Sequence, residues 1–473
     1  MTTNWRDKAS LLLKDKVIVK KIAFVLIGFA IFRLFSVIPI PGVDPLQLEK
    51  FFQDNQFFGL LNIFSGSGLA TLSIVMLGVG PYITASIIMQ LLTMMSSKLK
   101  ALYHEEGEAG RQRFAQYSRR ISVPLALLQG LGFLALLTRQ GAINTLSPLD
   151  FAVNLMVITA GAVLLMWLGE LMTEYGVGNG TSLIIFGGIV SRVPAIVSQQ
   201  YFVLTGQPEL IPRYLGFLAA AILIVWAVVV MTEAERPIPI TYAKRVRGNK
   251  IYGGISTYLP LRINQAGVIP IIFALSIILI PQMIFNFTKN IDAIAPIANK
   301  ILAVLNNGWF YSVFYFLLVF VFTYFYTAVT FDPKTISENL QKSGAFIPGV
   351  RPGGSTMEYL AKVVTRITLV GAIFLALIAV LPLAMQSITG NQALAIGGTA
   401  LLIVVSVVLD LVKKIGGQIA MREYLEKQGA LGDYVLLQSR NNFAFDIHIL
   451  YANLILQMRD AWPNRPTLLG VAS

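Results

Sequence analysis

The sequence predicts an all-α polytopic membrane protein, and three observations carry that prediction. Of its 473 residues, 55% are apolar and 13% charged, whereas soluble domains hold about 45–50% and about 25%. The apolar residues gather in charge-bounded runs near the roughly 20 residues that take a helix across the hydrocarbon core. A barrel would instead show alternating segments of about 10 residues, and lipid admits no other spanning backbone.

Read in order, the runs place ten spans at about 22–40, 72–95, 121–138, 151–170, 181–198, 214–232, 265–287, 310–330, 366–385 and 393–410. The first follows a basic leader, as a cleavable signal would. It nevertheless runs a full bilayer thickness and ends in Pro39-Ile40-Pro41-Gly42 without a small-residue cleavage site, so it reads as a retained span. The intervals Asn55–Ser97 and Ile367–Leu409 are both charge-free and too long for one span. The positive-inside rule divides them. Lys and Arg concentrate in the leader (Arg6, Lys8, Lys14, Lys16, Lys20, Lys21), in 98–120, in 233–262, in 331–366 and after Lys413, while Asp44, Glu49 and Asp54 make an acidic stretch. With basic regions cytoplasmic and the acidic stretch outside, the chain crosses an odd number of times in the first interval and an even number in the second. The first therefore holds one span and the second two.

One span leaves a surplus at 57–71, moderately apolar and broken by Gly and Ser. A segment that enters from outside without crossing fits it, and such backbone needs protein or a water-filled cavity around it. An extracytoplasmic loop on the interface is the competing reading.

Several functions are excluded by what the chain lacks. There is no Cys and there are two His, His104 and His448, far apart in sequence, so no thiolate chemistry, disulfide or local metal motif is expected. Gly176, Gly178 and Gly180 look like a phosphate loop but miss the G-x-G-x-x-G spacing and follow no strand, so a tight turn is expected and no nucleotide. The net charge of +13 reads as orientation, attraction to anionic lipid and a cytoplasmic partner. Mid-span ionisable groups, the mark of an ion-coupled transporter, are nearly absent. Arg33 is placed to snorkel outward, and Glu170, Glu174, Glu233 and Asp410 stand at span ends.

Mid-span positions hold branched aliphatics, among them Val79, Ile83, Ile185, Ile189, Ile272 and Ile403. Such residues commonly face lipid or neighbouring helices; collected in one place they would seal a pore by dewetting. The few polar residues within spans, Thr84, Gln90 and Asn264, suit weak interhelical hydrogen bonds. Two long cytoplasmic loops project outward. Residues 236–262 alternate apolar and basic positions around Gly-Gly, which predicts a β-hairpin. Residues 331–362 carry a Pro-stiffened tip at Arg351. Both read as docking surfaces for a large partner.

Six ordered stretches, Ile38–Asp44, Gly80–Gln90, Gly176–Phe186, Ser256–Pro270, Ser343–Gly353 and Gly397–Val405, give the sequence a close resemblance to the SecY family, the channel subunits of the bacterial Sec protein translocase. The resemblance covers about 15–428. It implies two inverted five-helix halves around an hourglass pore, 22–198 and 213–411, joined by an external hinge at 199–212 and flanked by cytoplasmic ends at 1–21 and 412–473. It further implies a pore ring of Val79, Ile83, Ile185, Ile189, Ile272 and Ile403, and a plug at about 57–71 with Leu61, Asn62, Phe64, Ser65, Gly66 and Gly68. Thr84, Gln90 and Asn264 match lateral-gate positions, and Arg245, Arg247, Lys250 and Arg351 match partner-binding positions. The implied function is passage of unfolded secretory polypeptides across the bacterial cytoplasmic membrane and sideways release of membrane segments into lipid. A secondary transporter of a small solute is the alternative. The implied partners are SecE-like and SecG-like subunits, the SecA motor, the ribosome, signal peptides and nascent polypeptides, with no cofactor and no enzymatic activity. Beyond about Gly429 the resemblance ends, and the tail is left without an assigned role.

Overall fold

A computed structural model describes residues 15–41, 72–104, 106–139, 143, 147–191, 193–207, 209, 211–243, 245–247, 250–252, 256–275, 277–278, 296, 300–301, 304, 307–389 and 397–427. The expected plug residues Leu61, Asn62, Phe64, Ser65, Gly66 and Gly68, the leader before 15 and the tail after 427 lie outside them. Residues Lys16–Leu411 form one compact unit.

The described elements begin with α1 (Lys16–Val37), α2 (Gly80–Met95), α3 (Ser97–His104), α4 (Gly107–Arg139), α5 (Pro148–Tyr175), α6 (Gly180–Val190), α7 (Val193–Gly206) and α8 (Ile211–Glu233). After α8 come strands β1 (Glu235–Tyr242), β2 (Arg245–Arg247), β3 (Lys250–Tyr252) and β4 (Ser256–Arg262), then a helical run at 269–275. The chain continues with α9 (Gly308–Thr330), α10 (Pro333–Lys342), β5 (Ala345–Phe346), α11 (Gly354–Thr389) and α12 (Gly397–Lys427). Among the described residues five stretches are long and apolar enough to cross a membrane: Pro148–Tyr175, Gly180–Gly206, Tyr214–Glu233, Gly308–Lys342 and Gly354–Leu381. The architecture is therefore an all-helical, multi-pass membrane fold.

Local chemistry sets the helix ends. Ser147, Asn179, Asn307 and Asp332 cap α5, α6, α9 and α10, each side chain accepting a bond from a first-turn N–H that would otherwise be unpaired. The second span differs from the hydropathy pattern. Its helix starts at Gly80, with Pro81 in the first turn, and 72–79 are turns. Proline suits the first helical turn because it has no N–H to satisfy there. The preceding turns are held by an antiparallel bridge between Pro39 and Ser73, with Ile40 N donating to Leu72 O at 2.9 Å and Ile74 N to Ile38 O at 3.0 Å. The fifth span is divided near Ser191 into α6 and α7, and α7 runs to Gly206, so the connection to α8 is shorter than 199–212.

Packing in lipid cannot draw on the hydrophobic effect between helices, so close backbone approach matters more. At Gly161 of α5 a Cβ would lie 2.0 Å from the Ile74 carbonyl oxygen, and at Gly180 of α6 one would lie 1.9 Å from the Gly169 oxygen. Only glycine permits either approach. Outside the apolar layer, β1 pairs antiparallel with β4 from Glu235↔Arg262 to Thr241↔Ser256, and with β5 at Thr241↔Phe346 and Tyr242↔Ala345. The hairpin read from the alternation of 236–262 is thus present, and between its strands in sequence β2 and β3 pair with each other, with Arg245↔Tyr252 and Arg247↔Lys250 in register.

Candidate functional site

The apolar positions converge. Val79, Ile185 and Ile403 are buried, at 1%, 5% and 1% exposure, and belong to one hydrophobic cluster on which the half-buried Ile83 and Ile189 also pack. Five of the six ring positions therefore share a single apolar region, fed by α1, the 72–79 turns, α2, α5, α6 and α12. Val79 caps α2, and Ile83 N donates to Val79 O, so the two lie one turn apart; Ile185 and Ile189 have the same spacing on α6. Residues four apart share a helix face. The sixth, Ile272, is buried in the 269–275 run beside Ile271 and Ala274, which join a different cluster with α8, α9 and α11. Val75, Phe32 and Val407 also belong to the first cluster. Of these, Val407 was legible as one turn beyond Ile403.

The positions that present this face are built by the Gly-rich turn before α6. Gly178 has φ +93°, Asn179 caps the helix, and Gly180 N donates to Thr173 Oγ1 at 2.8 Å. Residues 176–179 thus form the expected turn between α5 and α6. Arg33 is exposed and its guanidinium lies 3.5 Å from Ser191 Oγ. Glu170 pairs with Arg119 of α4 at 2.5 Å. Among the described residues no Asp, Glu, Lys, Arg or His is buried.

The polar positions are placed separately. Thr84 donates to Gly80 O at 3.0 Å, an internal bond of α2. Gln90 is half-buried on α2, and Asn264 is 7% exposed where β4 leads to the 269–275 run. The side-chain oxygens of both are buried with no hydrogen-bond partner among the described residues. Between α3 and the cap of α10, Lys100 and Asp332 form an ion pair at 3.5 Å that hydropathy could not reveal.

Arg351 stands on a fixed platform. Ile347 is buried at 3% among Ile238, Leu261, Leu360 and Val364, and Val350 packs on the same cluster. Arg351 itself is exposed. The backbones of Arg245, Arg247 and Lys250 lie in β2 and β3, a separate two-stranded sheet.

With this geometry in view, comparison with known proteins is decisive. A SecY family model matches residues 73–412. The protein translocase subunit SecY of Thermus thermophilus is 43% identical over 415 residues, 86% of this chain and 93% of that protein. This chain belongs to the SecY family. Solved structures share its fold: one described as a protein conducting channel has a TM-score of 0.59 at 18% identity, covering 89% of this chain and 96% of its own. Sec61 from a canine ribosome-channel complex has a TM-score of 0.56 at 17% identity, with the same two coverages. Membership in the SecY family excludes an enzymatic reading and leaves the small-solute transporter unsupported.

Proposed function

We propose that this chain is the protein-conducting channel of a Sec translocon, moving unfolded polypeptides across the membrane and releasing apolar segments sideways into lipid. The observation that supports the reading best is the convergence of Val79, Ile83, Ile185, Ile189 and Ile403 on one apolar cluster, with no buried charge among the described residues to bind a solute. A narrow aliphatic collar excludes water and ions without a specific ligand site, because wetting so small an apolar gap is unfavourable. It also offers no directional bond that a threading chain must match, since dispersion and apolar contact are non-directional. Ile272 completes the collar in this reading, and 57–71 covers it from outside.

Thr84, Gln90 and Asn264 are the lateral gate, where modest polar contacts let two sets of helices part. Arg245, Arg247, Lys250 and Arg351 face a cytoplasmic partner that carries negative charge. The ribosome of the canine complex is one such partner, and a SecA-type motor is the other. SecE-like and SecG-like subunits complete the assembly, in the bacterial cytoplasmic membrane, with both chain ends cytoplasmic and ten spans in two inverted halves.

The test is electrical. Ile83→Asn combined with Ile403→Asn places two amides in the collar, and resting channels in planar bilayers should then leak ions well above the unsubstituted protein. Unchanged resting conductance would reject the collar.

A further inference from the structure

Two buried hydroxyls flank the tip of the 343–353 loop. Ser337 of α10 is 3% exposed and donates to Gly353 O at 2.7 Å. Thr356, in the first turn of α11, is 2% exposed and donates to Arg351 O at 2.8 Å. The Gly353 carbonyl also accepts from Met357 N at 3.1 Å, which joins the loop to α11 directly. On the other side of the tip, Val350 N donates to Ile347 O at 3.0 Å and Ile347 is buried in the apolar cluster under the sheet. The backbone of Arg351 is therefore fixed before and after the residue. Its side chain is exposed, and among the described residues no carboxylate pairs with its guanidinium.

A cation that is unpaired, on a backbone that is tied down, costs little to order when it meets an anion. Mobile loops lose part of each contact to ordering, and pre-organisation removes that loss. Neither hydroxyl is needed to terminate a helix: α10 is capped by Asp332, and Thr356 lies inside α11 and bonds backward to a residue before the helix begins.

We propose that Ser337 and Thr356 are positioning residues that hold Arg351 in its docking geometry for the cytoplasmic motor ATPase. The proposal rests on the reading of Arg351 as a docking group. Because the hydroxyls act before contact is made, they set how much motor is needed and leave the rate of the engaged complex alone.

The test is the initial rate of ATP-driven import of a secretory precursor into inverted membrane vesicles, measured against motor concentration. Thr356→Val and Ser337→Ala should each raise the half-saturating motor concentration about three- to tenfold, the scale of one lost hydrogen bond, at unchanged maximal rate. Thr356→Ser should restore it, which separates loss of the hydroxyl from a folding defect. On an Arg351→Ala background neither substitution should add a further shift. An unshifted half-saturation in both variants, or an equal shift on the Arg351→Ala background, overturns the proposal. Impaired Arg351→Ala beside normal Thr356→Val and Ser337→Ala overturns it alone. An Arg351→Ala channel with normal half-saturation overturns the docking reading and the proposal together.

Discussion

Gln90 and Asn264 each bury an amide oxygen that no described residue satisfies. A buried unpaired acceptor costs about 1–3 kcal/mol, and replacing it with an apolar group of similar size relieves that cost. If the described arrangement is the resting gate, Gln90→Leu should raise the thermal unfolding temperature in detergent. It should also slow export of precursors with weak signal sequences, because the resting state gains stability that opening must overcome. A lower unfolding temperature would mean that the amide supports the resting state. By contrast, Lys100 and Asp332 form an ion pair whose lysine is 55% exposed. Exposed pairs contribute about 0–1 kcal/mol, so Lys100→Ala should leave the unfolding temperature within about a degree or two; a larger fall in a melting scan would show that the pair does more. The residue scale was partly legible. Amides within apolar runs announce themselves, but whether their oxygens find donors depends on neighbours brought from distant segments.

Among elements, α6 has the tightest constraint. It carries Ile185 and Ile189 and meets α5 where a Cβ on Gly180 would come within 1.9 Å of the Gly169 oxygen. Gly180→Ala must push the two helices apart, and overpacking of this kind costs about 1–3 kcal/mol. The expected outcome is a lower unfolding temperature together with raised resting conductance, since the displaced helix carries two of the positions proposed for the collar. Normal values of both in one preparation would show that the contact yields without moving α6. Hydropathy located the helices but misjudged their ends for a physical reason: it reports transfer from water to oil and is blind to backbone hydrogen bonding. Basic residues Arg111, Arg113, Arg119 and Arg120 belong to α4, not to a loop before it, because helix continues past the apolar layer as long as its N–H and C=O groups pair. The start of α2 was readable from Gly80-Pro81, a pair that favours a helix beginning, and not from the apolar count. The hairpin at 235–262 was legible because alternation is itself a backbone statement. The split of α6 from α7 near Ser191 carried the same kind of mark as the start of α2, Pro194 in the first turn of α7, inside a run that the apolar count reads as one span.

At the scale of the whole molecule, the apolar cluster proposed as the collar draws on elements from both ends of the chain, α2 and α6 early and α12 late. Periodicity finds each contributing face, while their meeting is a property of tertiary packing, and the family resemblance supplied that step in the sequence reading. The expected assembly is larger than one chain. Affinity purification in mild detergent should bring down two small membrane proteins at constant ratio, and isolation of the chain alone at full export activity would contradict the assembly. Reversing the charge of Arg351 with Glu should reduce motor-driven import severalfold while membrane insertion and span count stay normal. Import at the unsubstituted rate in inverted vesicles would refute the docking reading.

The bridge between Pro39 and Ser73, with Asn154 Nδ2 donating to Pro41 O at 3.2 Å beside it, ties the end of α1 to the turns before α2. Two segments tied to each other stay together when the chain is cut between the tied positions. A protease site engineered between residues 45 and 70 should therefore give a nicked protein whose fragments migrate together until detergent is replaced by denaturant.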